Sequence, residues 1–409
     1  MPDYNNNLKA FHINFGPQHP ASHGVLRIVC QLRGEVIERA DTHIGLLHRG
    51  TEKLIEARPY PLGLPYFDRL DYTAILMQEH AYCLGIETLL GTQNYLADFT
   101  KIRVLFDELT RILNHLIALS THAMDVGVMA IFFWAFEERE RIMEFYERVS
   151  GARMHAAFYR PNEMSINYIT AALLKDIVFF CRDLFQRLTQ IESTLNSTVI
   201  WRARLAHIGT LNPEFVYKWG ASGPLARSAG IKQDNRLSYN DTYSAYYYLN
   251  VRSFTGTYGD CYDRFLIRMR EMAESAHIIL QVIDNWVNIE PELYADVFLT
   301  LRARKQRAFR KQHSSTWCTG MEELIEHFKY FSEGFSVPQG TTYRGIESAK
   351  GEFGVFMVAD GSNKPYRCRI RSPAFYHTQL FAPMTQGHYF ADMITIVGSQ
   401  DIVMGEVDR

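Results

Sequence analysis

Two patterns of hydrophobic positions divide the chain. Near the amino terminus Leu26, Ile28, Cys30 and Leu32 occupy every second position, which is typical of a strand with one buried face. A turn at residues 33–35 follows, so we expect a β-hairpin there. Near the carboxyl terminus the sequence EFGVFMVADGSNKPYRCRIRSP predicts a second hairpin, with its turn at residues 360–363.

Between these ends the hydrophobic spacing changes to three and four residues. Leu70, Ala74, Met77, Ala81 and Leu84 follow it, and they predict a helix over residues 68–90. The same spacing predicts four more helices, over residues 101–124, 137–149, 171–191 and 260–287. We expect the last to be the longest, roughly 42 Å. Residues 42–65 contain three prolines and a glycine near their end, so we predict a loop there.

Several long helices of similar length favour a central bundle. The predicted fold class is therefore α+β, mainly α, with a central long-helix bundle between β-rich ends. We expect one intertwined domain with three segments. Residues 1–65 form the β-rich amino-terminal segment, residues 66–335 the helical core, and residues 336–409 a hairpin and tail that fold back on the core.

Composition narrows the class of protein. Of 409 residues, 47% are hydrophobic and 22% are charged, which is typical of a globular chain. The net charge of -2 gives no basic excess for nucleic-acid binding. The nearest two of the six cysteines, Cys318 and Cys368, lie 50 residues apart. We therefore expect reduced, buried thiols and no metal or iron–sulfur cluster bound by this chain.

Several common functional patterns are absent from the sequence. The most apolar run, residues 126–136, has 11 residues, about half of what a spanning helix needs. The chain has no GxGxxG, no GxxxxGK(S/T) and no HExxH pattern. We therefore do not expect it to bind NAD or ATP by a familiar mode.

The densest group of candidate functional residues is GPQHPASHG, in a loop that enters the first predicted hairpin. It contains His19 and His23, and Pro20 between them argues against a helical metal pair. Three interpretations stay open: a metal pair, a structural turn, and a ligand-binding loop. In the last, glycine would allow close approach of a ligand and histidine would exchange protons near neutral pH.

Other polar residues each allow two interpretations. Tyr72, in the first turns of the predicted helix, is either a half-buried core residue or a hydroxyl aimed at a cavity. Asp125, before VGVMAIFFWAF, is either an exposed helix-end residue or a buried acid with a cationic partner, because an unpaired buried carboxylate is costly. His155 and the tail SQDIVMGEVDR are polar islands of the same kind.

Taken together, several motifs carry a resemblance to a known family. They are NFGPQHPASHGVLR, HIGLLHRGTEKL, YFDRLDY, RVLFDELTRILNHL, FFWAFEERE, ERVSGARMHAAFYRP, GDCYDRFLIRMREM, the carboxyl-terminal hairpin and GSQDIVMGEVDR. In these motifs the chain resembles the 49 kDa subunit family of respiratory complex I over nearly its whole length. That family is related to the large subunit of nickel–iron hydrogenases, so the resemblance implies a hydrogenase-like fold.

The chain departs from the hydrogenase pattern at the metal ligands. Hydrogenases carry RxCGxC and DPCxxC, whereas this chain has RLDYTA from Arg69 and DIVMGE from Asp401. All four thiolate ligands are missing, so a nickel–iron site lacks its soft ligands. By resemblance, the emptied cavity is the inner end of a quinone pocket.

The resemblance also implies site residues. His23 and Tyr72 match the quinone-binding residues of the family, and Asp125 matches the acid that pairs with the histidine. Arg69 and His155 match residues beside the terminal 4Fe-4S cluster, which is held by the adjacent subunit. The cavity segment is matched by Asp401 and Val403.

The implied function is the reduction of ubiquinone within an NADH:ubiquinone oxidoreductase that also translocates protons. The implied partners are the PSST/NuoB-type cluster subunit, the 30 kDa subunit and membrane subunit 1 at the quinone entrance. The implied location is the matrix side of the mitochondrial inner membrane, or the cytoplasmic membrane of a bacterium. Three alternatives stay open: a redox-inert scaffold, a relative that takes electrons from ferredoxin, and a working hydrogenase.

Overall fold

The structure is a computed structural model, and it describes residues 10–22, 24–92, 97–161, 163–164, 169–238, 243–287 and 321–409. The strands of this part of the chain are β1 Ala10–Phe15, β2 Arg27–Arg33, β3 Val36–His43, β4 Tyr159–Arg160, β5 Glu163–Met164, β6 Gly340–Glu347, β7 Glu352–Ala359 and β8 Pro365–Arg371.

The helices begin after the first sheet. They are α1 Thr51–Glu56, α2 Tyr60–Asp68, α3 Ile75–Leu90, α4 Ala97–Val126, α5 Met129–Ser150, α6 Ala171–Ser197, α7 Val199–Leu205, α8 Pro213–Trp219, α9 Gly223–Ser228, α10 Cys261–Val287, α11 Met321–Ser332, α12 Pro373–Thr385, α13 Phe390–Gln400 and α14 Met404–Asp408. Two short 3₁₀ turns lie at Pro20–Ser22 and Ser244–Tyr248.

Two three-stranded antiparallel sheets lie near the ends of the chain, in the orders β1-β2-β3 and β6-β7-β8. Both predicted hairpins are confirmed, by the β2–β3 and β7–β8 pairs. The alternating residues of β2 point inward, since Ile28, Cys30 and Leu32 are all buried. The first sheet packs against α12 and the second against α3.

Four long helices form the centre of the fold. Helix α4 contacts α5 and α10, and α6 contacts both α5 and α10, so the four build the expected bundle. The helix predicted over residues 260–287 was expected to be the longest. This is wrong, because α4 has 30 residues and α10 has 27. Buried side chains of the bundle and of both terminal sheets form one continuous hydrophobic core.

The loop predicted over residues 42–65 is only partly present. Residues 44–50 form a loop, but residues 51–56 form α1 and residues 60–65 belong to α2. Pro59 caps α2 and Pro61 lies in its first turn, where the missing N–H costs no intrahelical hydrogen bond. Pro65 is tolerated inside this short helix. Pro59 and Pro61 therefore mark the beginning of α2 rather than a loop.

The helix predicted over residues 68–90 begins later than expected. Asp68 ends α2, and α3 starts at Ile75. Tyr72 consequently lies in the turn between the two helices and is outside the first turns of α3. This turn, rather than a helix surface, determines where the tyrosine side chain lies.

Five cysteines lie in the described part of the chain, and all are buried and free: Cys30, Cys83, Cys181, Cys261 and Cys368. The sixth, Cys318, lies outside the described residues. Within the ranges that the structure describes, no helix is both long and apolar enough to cross a membrane.

Candidate functional site

Four distant segments of the chain meet at the ammonium group of Lys350, in the turn between β6 and β7. Lys350 Nζ donates to Asp71 Oδ2 at 2.9 Å and to Thr73 Oγ1 at 2.6 Å. It also donates to Asn114 Oδ1 on α4 and lies 3.8 Å from Asp401 Oδ2. The lysine side chain is completely buried. One cation therefore joins the α2–α3 turn, the bundle and the tail.

The charges around Lys350 hold one another in their ionised forms. Burial alone would lower the pKa of Lys350, but the carboxylates of Asp401 and Asp71 outweigh it and raise that pKa. Burial likewise acts to raise the pKa of Asp401, and it is overcome by Lys350, Arg268 and a hydrogen bond of 2.7 Å from Asn114 Nδ2. Buried charges of this kind are stable only when paired and hydrogen-bonded.

Glu406 is a third acid at this centre, and it behaves differently. Burial and the nearby charge of Asp71 raise the pKa of Glu406 to about 8, against the opposing effect of Lys350. Its Oε1 accepts the amide N–H of Ala374 at 3.0 Å, while its buried Oε2 has no partner among the described residues. Lys350 thus faces Asp401, whose pKa is lowered, and Glu406, which favours its protonated form at neutral pH.

The tail packs directly against the α2–α3 turn. A Cβ on Gly405 would lie 2.5 Å from the carbonyl oxygen of Leu70, so only glycine allows this close approach. Val403, which precedes α14, is buried. The sequence-predicted residues Arg69, Tyr72, Asp401 and Val403 are therefore brought into one region of the fold.

Tyr72 lies half-buried at this junction. Burial raises the pKa of Tyr72; the charge of Lys350 acts against this, and those of Asp71 and Asp401 add to it. The phenol therefore keeps its proton at neutral pH and can donate a hydrogen bond. An oxygen acceptor of a ligand is the chemistry that such a donor suits.

The motif HIGLLHRGTEKL docks on the same tail. Asp408 accepts the amide N–H groups of Gly45 and Leu47, each at 2.8 Å. The side chain of Arg49 donates to the carbonyl oxygen of Arg69 at 2.7 Å. Three motifs that are distant in sequence thus assemble around the α2–α3 turn.

Arg69 and His155 both lie near the buried acid Asp68. Arg69 is exposed and donates to the carbonyl oxygen of Pro65 at 2.8 Å. His155 is half-buried, and its Nδ1 has no partner within the described ranges. Both act electrostatically on Asp68, which accepts the amide N–H of Ala157 at 3.0 Å.

Asp125 lies apart from Tyr72, near the end of α4. Asn114 of the Lys350 centre is on the same helix, roughly 16 Å away along its axis. A Cβ on Gly398 of α13 would lie 3.5 Å from Asp125 Oδ2, and the turn Pro20–Ser22 contacts the same helix. Burial raises the pKa of Asp125 to about 6.

The expected partner of Asp125 is His23. Asp125 is half-buried, and no ion pair or hydrogen bond joins its carboxylate to another described residue. His23 lies outside the described residues. Its neighbour Ser22 is buried and donates through its hydroxyl to the carbonyl oxygens of Pro17 and His19, at 2.7 Å each.

Sequence reasoning missed the residue at the centre of the site. Lys350 follows Glu347 and Ser348 in a turn without an obvious motif, and no spacing links it to Asp71 or Asn114. The signal was the unusual density of acids in the matching segments, Asp71, Asp401 and Glu406. Such a group requires a cation when buried, although the sequence does not say which.

Among the residues that the structure describes, no group of three or more His, Cys, Asp or Glu side chains could hold a metal ion. The segments RLDYTA and DIVMGE, which depart from the hydrogenase pattern in the sequence analysis, carry Asp71, Ala74, Val403 and Glu406 where that pattern has cysteine. The cation present between these segments is the ammonium of Lys350.

Comparison with known proteins agrees with these motifs. The family model for the 49 Kd subunit of the respiratory-chain NADH dehydrogenase matches residues 125–409. A 49 kDa subunit of NADH-ubiquinone oxidoreductase from Paramecium tetraurelia is 53% identical over 98% of this chain and 100% of its own length. The corresponding subunit from Reclinomonas americana is 52% identical over 98% of both chains.

The chain therefore belongs to the family of the 49 kDa subunit of the respiratory-chain NADH dehydrogenase. Proteins of this family are core subunits of an enzyme complex, NADH-ubiquinone oxidoreductase or complex I. The catalytic unit is the assembled complex.

Proposed function

We propose that this chain binds the head group of ubiquinone and that Tyr72 donates a hydrogen bond to one of its ring oxygens. The observation that carries the proposal is the protonated, half-buried phenol of Tyr72 at the junction of the α2–α3 turn and the tail. Asp401 and Val403 belong to the inner wall of this site. The names of the relatives, NADH-ubiquinone oxidoreductase subunits, supply the substrate class.

Reduction of a quinone to a quinol takes two electrons and two protons, so both ring oxygens need a proton donor. We assign the second oxygen to His23, with Asp125 as the residue that orients the imidazole. A carboxylate beside an imidazole favours its charged form. The packing of both Asp125 and the turn before His23 against α13 supports this pairing.

Electrons reach the quinone from a 4Fe-4S cluster on the adjacent PSST/NuoB-type subunit in this proposal. Arg69 and His155 lie on that side of the site, where a cation and an imidazole can tune the cluster potential through charge and hydrogen bonds. The exposure of Arg69 and the unpartnered Nδ1 of His155 support this assignment. This chain supplies no electron carrier of its own in the proposed reaction.

The Lys350 centre has a positioning role in this account. It holds Asp71, next to Tyr72 in the chain, against Asn114 of the bundle and Asp401 of the tail. These contacts fix the backbone on either side of the tyrosine. The ammonium group of Lys350 thus joins the α2–α3 turn to the tail. In hydrogenases the corresponding two segments are joined by the metals that they bind.

The proposed assembly follows from the same reaction. The chain would contact the cluster subunit, the 30 kDa subunit and membrane subunit 1, where quinone enters. We place it peripherally on the matrix side of the mitochondrial inner membrane. The rival function is a redox-inert scaffold that holds the cluster subunit against the membrane arm.

Replacing Asp125 by Asn tests the assigned proton path. We expect quinone reduction to slow about tenfold, while cluster reduction by NADH is unchanged. The pKa of Asp125 is about 6, so its carboxyl group is ionised above that pH and protonated below it.

The wild-type rate of quinone reduction should therefore fall below about pH 6, and this fall should be absent in D125N. The control is D360N, in an exposed turn; loss of cluster reduction in D125N would contradict the assignment.

Photoaffinity labelling of the assembled complex separates the proposal from the scaffold. A quinone analogue with a photoreactive head group should label peptides that contain Tyr72 or the tail after residue 400, and excess ubiquinone should prevent it. Labelling that is confined to other subunits would favour the scaffold. A relative that accepts electrons from ferredoxin would give the same labelling but no NADH oxidation, and nickel in the purified complex would indicate a hydrogenase.

A further inference from the structure

Two acids outside the Lys350 centre are buried against each other. Asp68 ends α2 and Glu79 lies in α3, and neither side chain is accessible to solvent. Their carboxyl groups lie within hydrogen-bonding reach of each other. Each also accepts one backbone N–H: Asp68 Oδ2 from Ala157 at 3.0 Å, and Glu79 Oε2 from Tyr159 at 2.7 Å.

The remaining oxygens of the two acids have no hydrogen-bond donor from the rest of the described chain. Asp68 Oδ1 and Glu79 Oε1 are buried, and no donor reaches either of them within the described ranges. Two ionised carboxylates are both acceptors, so a hydrogen bond between them requires one proton. Two neighbouring carboxyl groups in a buried site also disfavour ionisation of both, because the like charges repel.

No arginine or lysine of the described chain forms an ion pair with either acid. Burial is the largest effect on both groups and raises the pKa of each, and the charge of Asp68 raises that of Glu79 further. Titratable and charged groups that interact with the pair include Arg69, Cys83, Tyr146, His155 and Tyr159. Of these only Arg69 carries a permanent charge, and it is exposed.

We propose that Asp68 and Glu79 share a single proton and that this acid pair positions the backbone between His155 and Tyr159. The pair carries one negative charge in total. The proposal rests on the proposed function in one respect, since His155 is the imidazole that we assign to the side of the partner's cluster. Asp68 and Glu79 are positioning residues, because they act through the 155–159 segment.

Amide variants imitate the shared proton. In D68N the amide nitrogen can donate to Glu79, and the amide oxygen can still accept from Ala157. In E79Q the amide nitrogen can donate to Asp68, and the amide oxygen can still accept from Tyr159. Each single variant therefore keeps both backbone hydrogen bonds and the net charge of the pair. The D68N/E79Q double variant loses the charge, and because its two amide nitrogens are both donors, one amide must turn and give up its backbone hydrogen bond. The apolar variant D68L keeps neither the contact nor the acceptor for Ala157.

The first readout is hydrogen–deuterium exchange of residues 155–159 in the assembled complex. The account predicts wild-type protection in D68N and E79Q and exchange about tenfold faster in D68L, since the amide of Ala157 loses its acceptor. If D68L fails to assemble, the amide variants are sufficient: faster exchange in either of them would overturn the proposal. Equal protection in an assembled D68L variant would overturn it as well.

The second readout is the reduction potential of the partner's cluster at fixed pH, which a purely structural role would not change in this pattern. Both single variants should match the wild type, and the double variant should shift to higher potential because a nearby negative charge has been removed. If the reduction potential shifts in each single variant, both acids are ionised in the wild type. If it is unchanged in the double variant, both acids are neutral in the wild type. Either result would overturn the shared proton.

The variant H155A separates the two proposals. If H155A leaves the cluster potential unchanged, the assignment of His155 to the cluster side fails, and hydrogen exchange alone decides the acid pair. If H155A shifts the potential but the double variant does not, the shared proton fails and the proposed function stands.

Discussion

Replacing Lys350 by Met should prevent normal assembly of the complex. The change removes the only cation that contacts Asp71 and lies beside Asp401 within the described residues, and it leaves two buried carboxylates together. Removing one partner of a buried ion pair costs about 3–5 kcal/mol, which is a large part of the stability of a typical domain. We expect K350M to reduce the assembled complex on native gels by at least about tenfold.

Two further variants test whether the loss of the buried cation causes the assembly defect of K350M. K364M removes an exposed lysine from the turn between β7 and β8 and should assemble normally. K350M/D71N removes one of the two unpaired charges as well, so it should recover part of the loss. Normal assembly and activity of K350M would show that the centre is not needed to hold the tail against the α2–α3 turn.

Replacing Tyr72 by Phe should separate assembly from quinone reduction. The ring remains, so the packing of the α2–α3 turn is kept, while the hydrogen-bond donor is lost. An unmade hydrogen bond to a buried oxygen costs about 1–3 kcal/mol, which corresponds to a rate loss of roughly 5- to 150-fold. Cluster reduction by NADH should be unchanged, because the electrons arrive before this step.

The steady-state rate with ubiquinone measures this effect, and NADH oxidation by an artificial acceptor serves as the internal reference. Y366F removes a hydroxyl from an exposed tyrosine of β8 and should behave as the wild type. Unchanged kinetics of Y72F with ubiquinone would contradict the assigned role of the phenol.

The sequence predicted the fold best in elements whose structure is determined mainly by the burial of one hydrophobic face. Alternation in β2 and the three-and-four spacing of the bundle helices both reflect burial of one face, and this is a local property of the sequence. The loop prediction is wrong at residues 51–56 and 60–65, which are helical. Proline usually indicates a loop, but Pro61 is compatible with the first turn of α2. The sequence prediction also extended α3 through the turn that carries Tyr72.

The site was only partly predictable for a different reason. The motifs around Arg69, Tyr72 and Asp401 were recognisable, and the structure brings them together through Gly405 and Lys350. Lys350 was missed because its function comes from tertiary contacts with segments that lie far from it in sequence. The pair of Asp68 and Glu79 was missed for the same reason, since a helix end and a helix interior carry no shared pattern.

The central claim is that Tyr72 binds the quinone head group, and a structure of the assembled complex with bound ubiquinone tests it most directly. The distance from Tyr72 Oη to the nearer ring oxygen is the decisive measurement. The account predicts a hydrogen-bond distance of about 2.7 Å, with His23 beside the other oxygen. A head group bound beyond hydrogen-bond reach of Tyr72, in a site formed by other subunits, would contradict it.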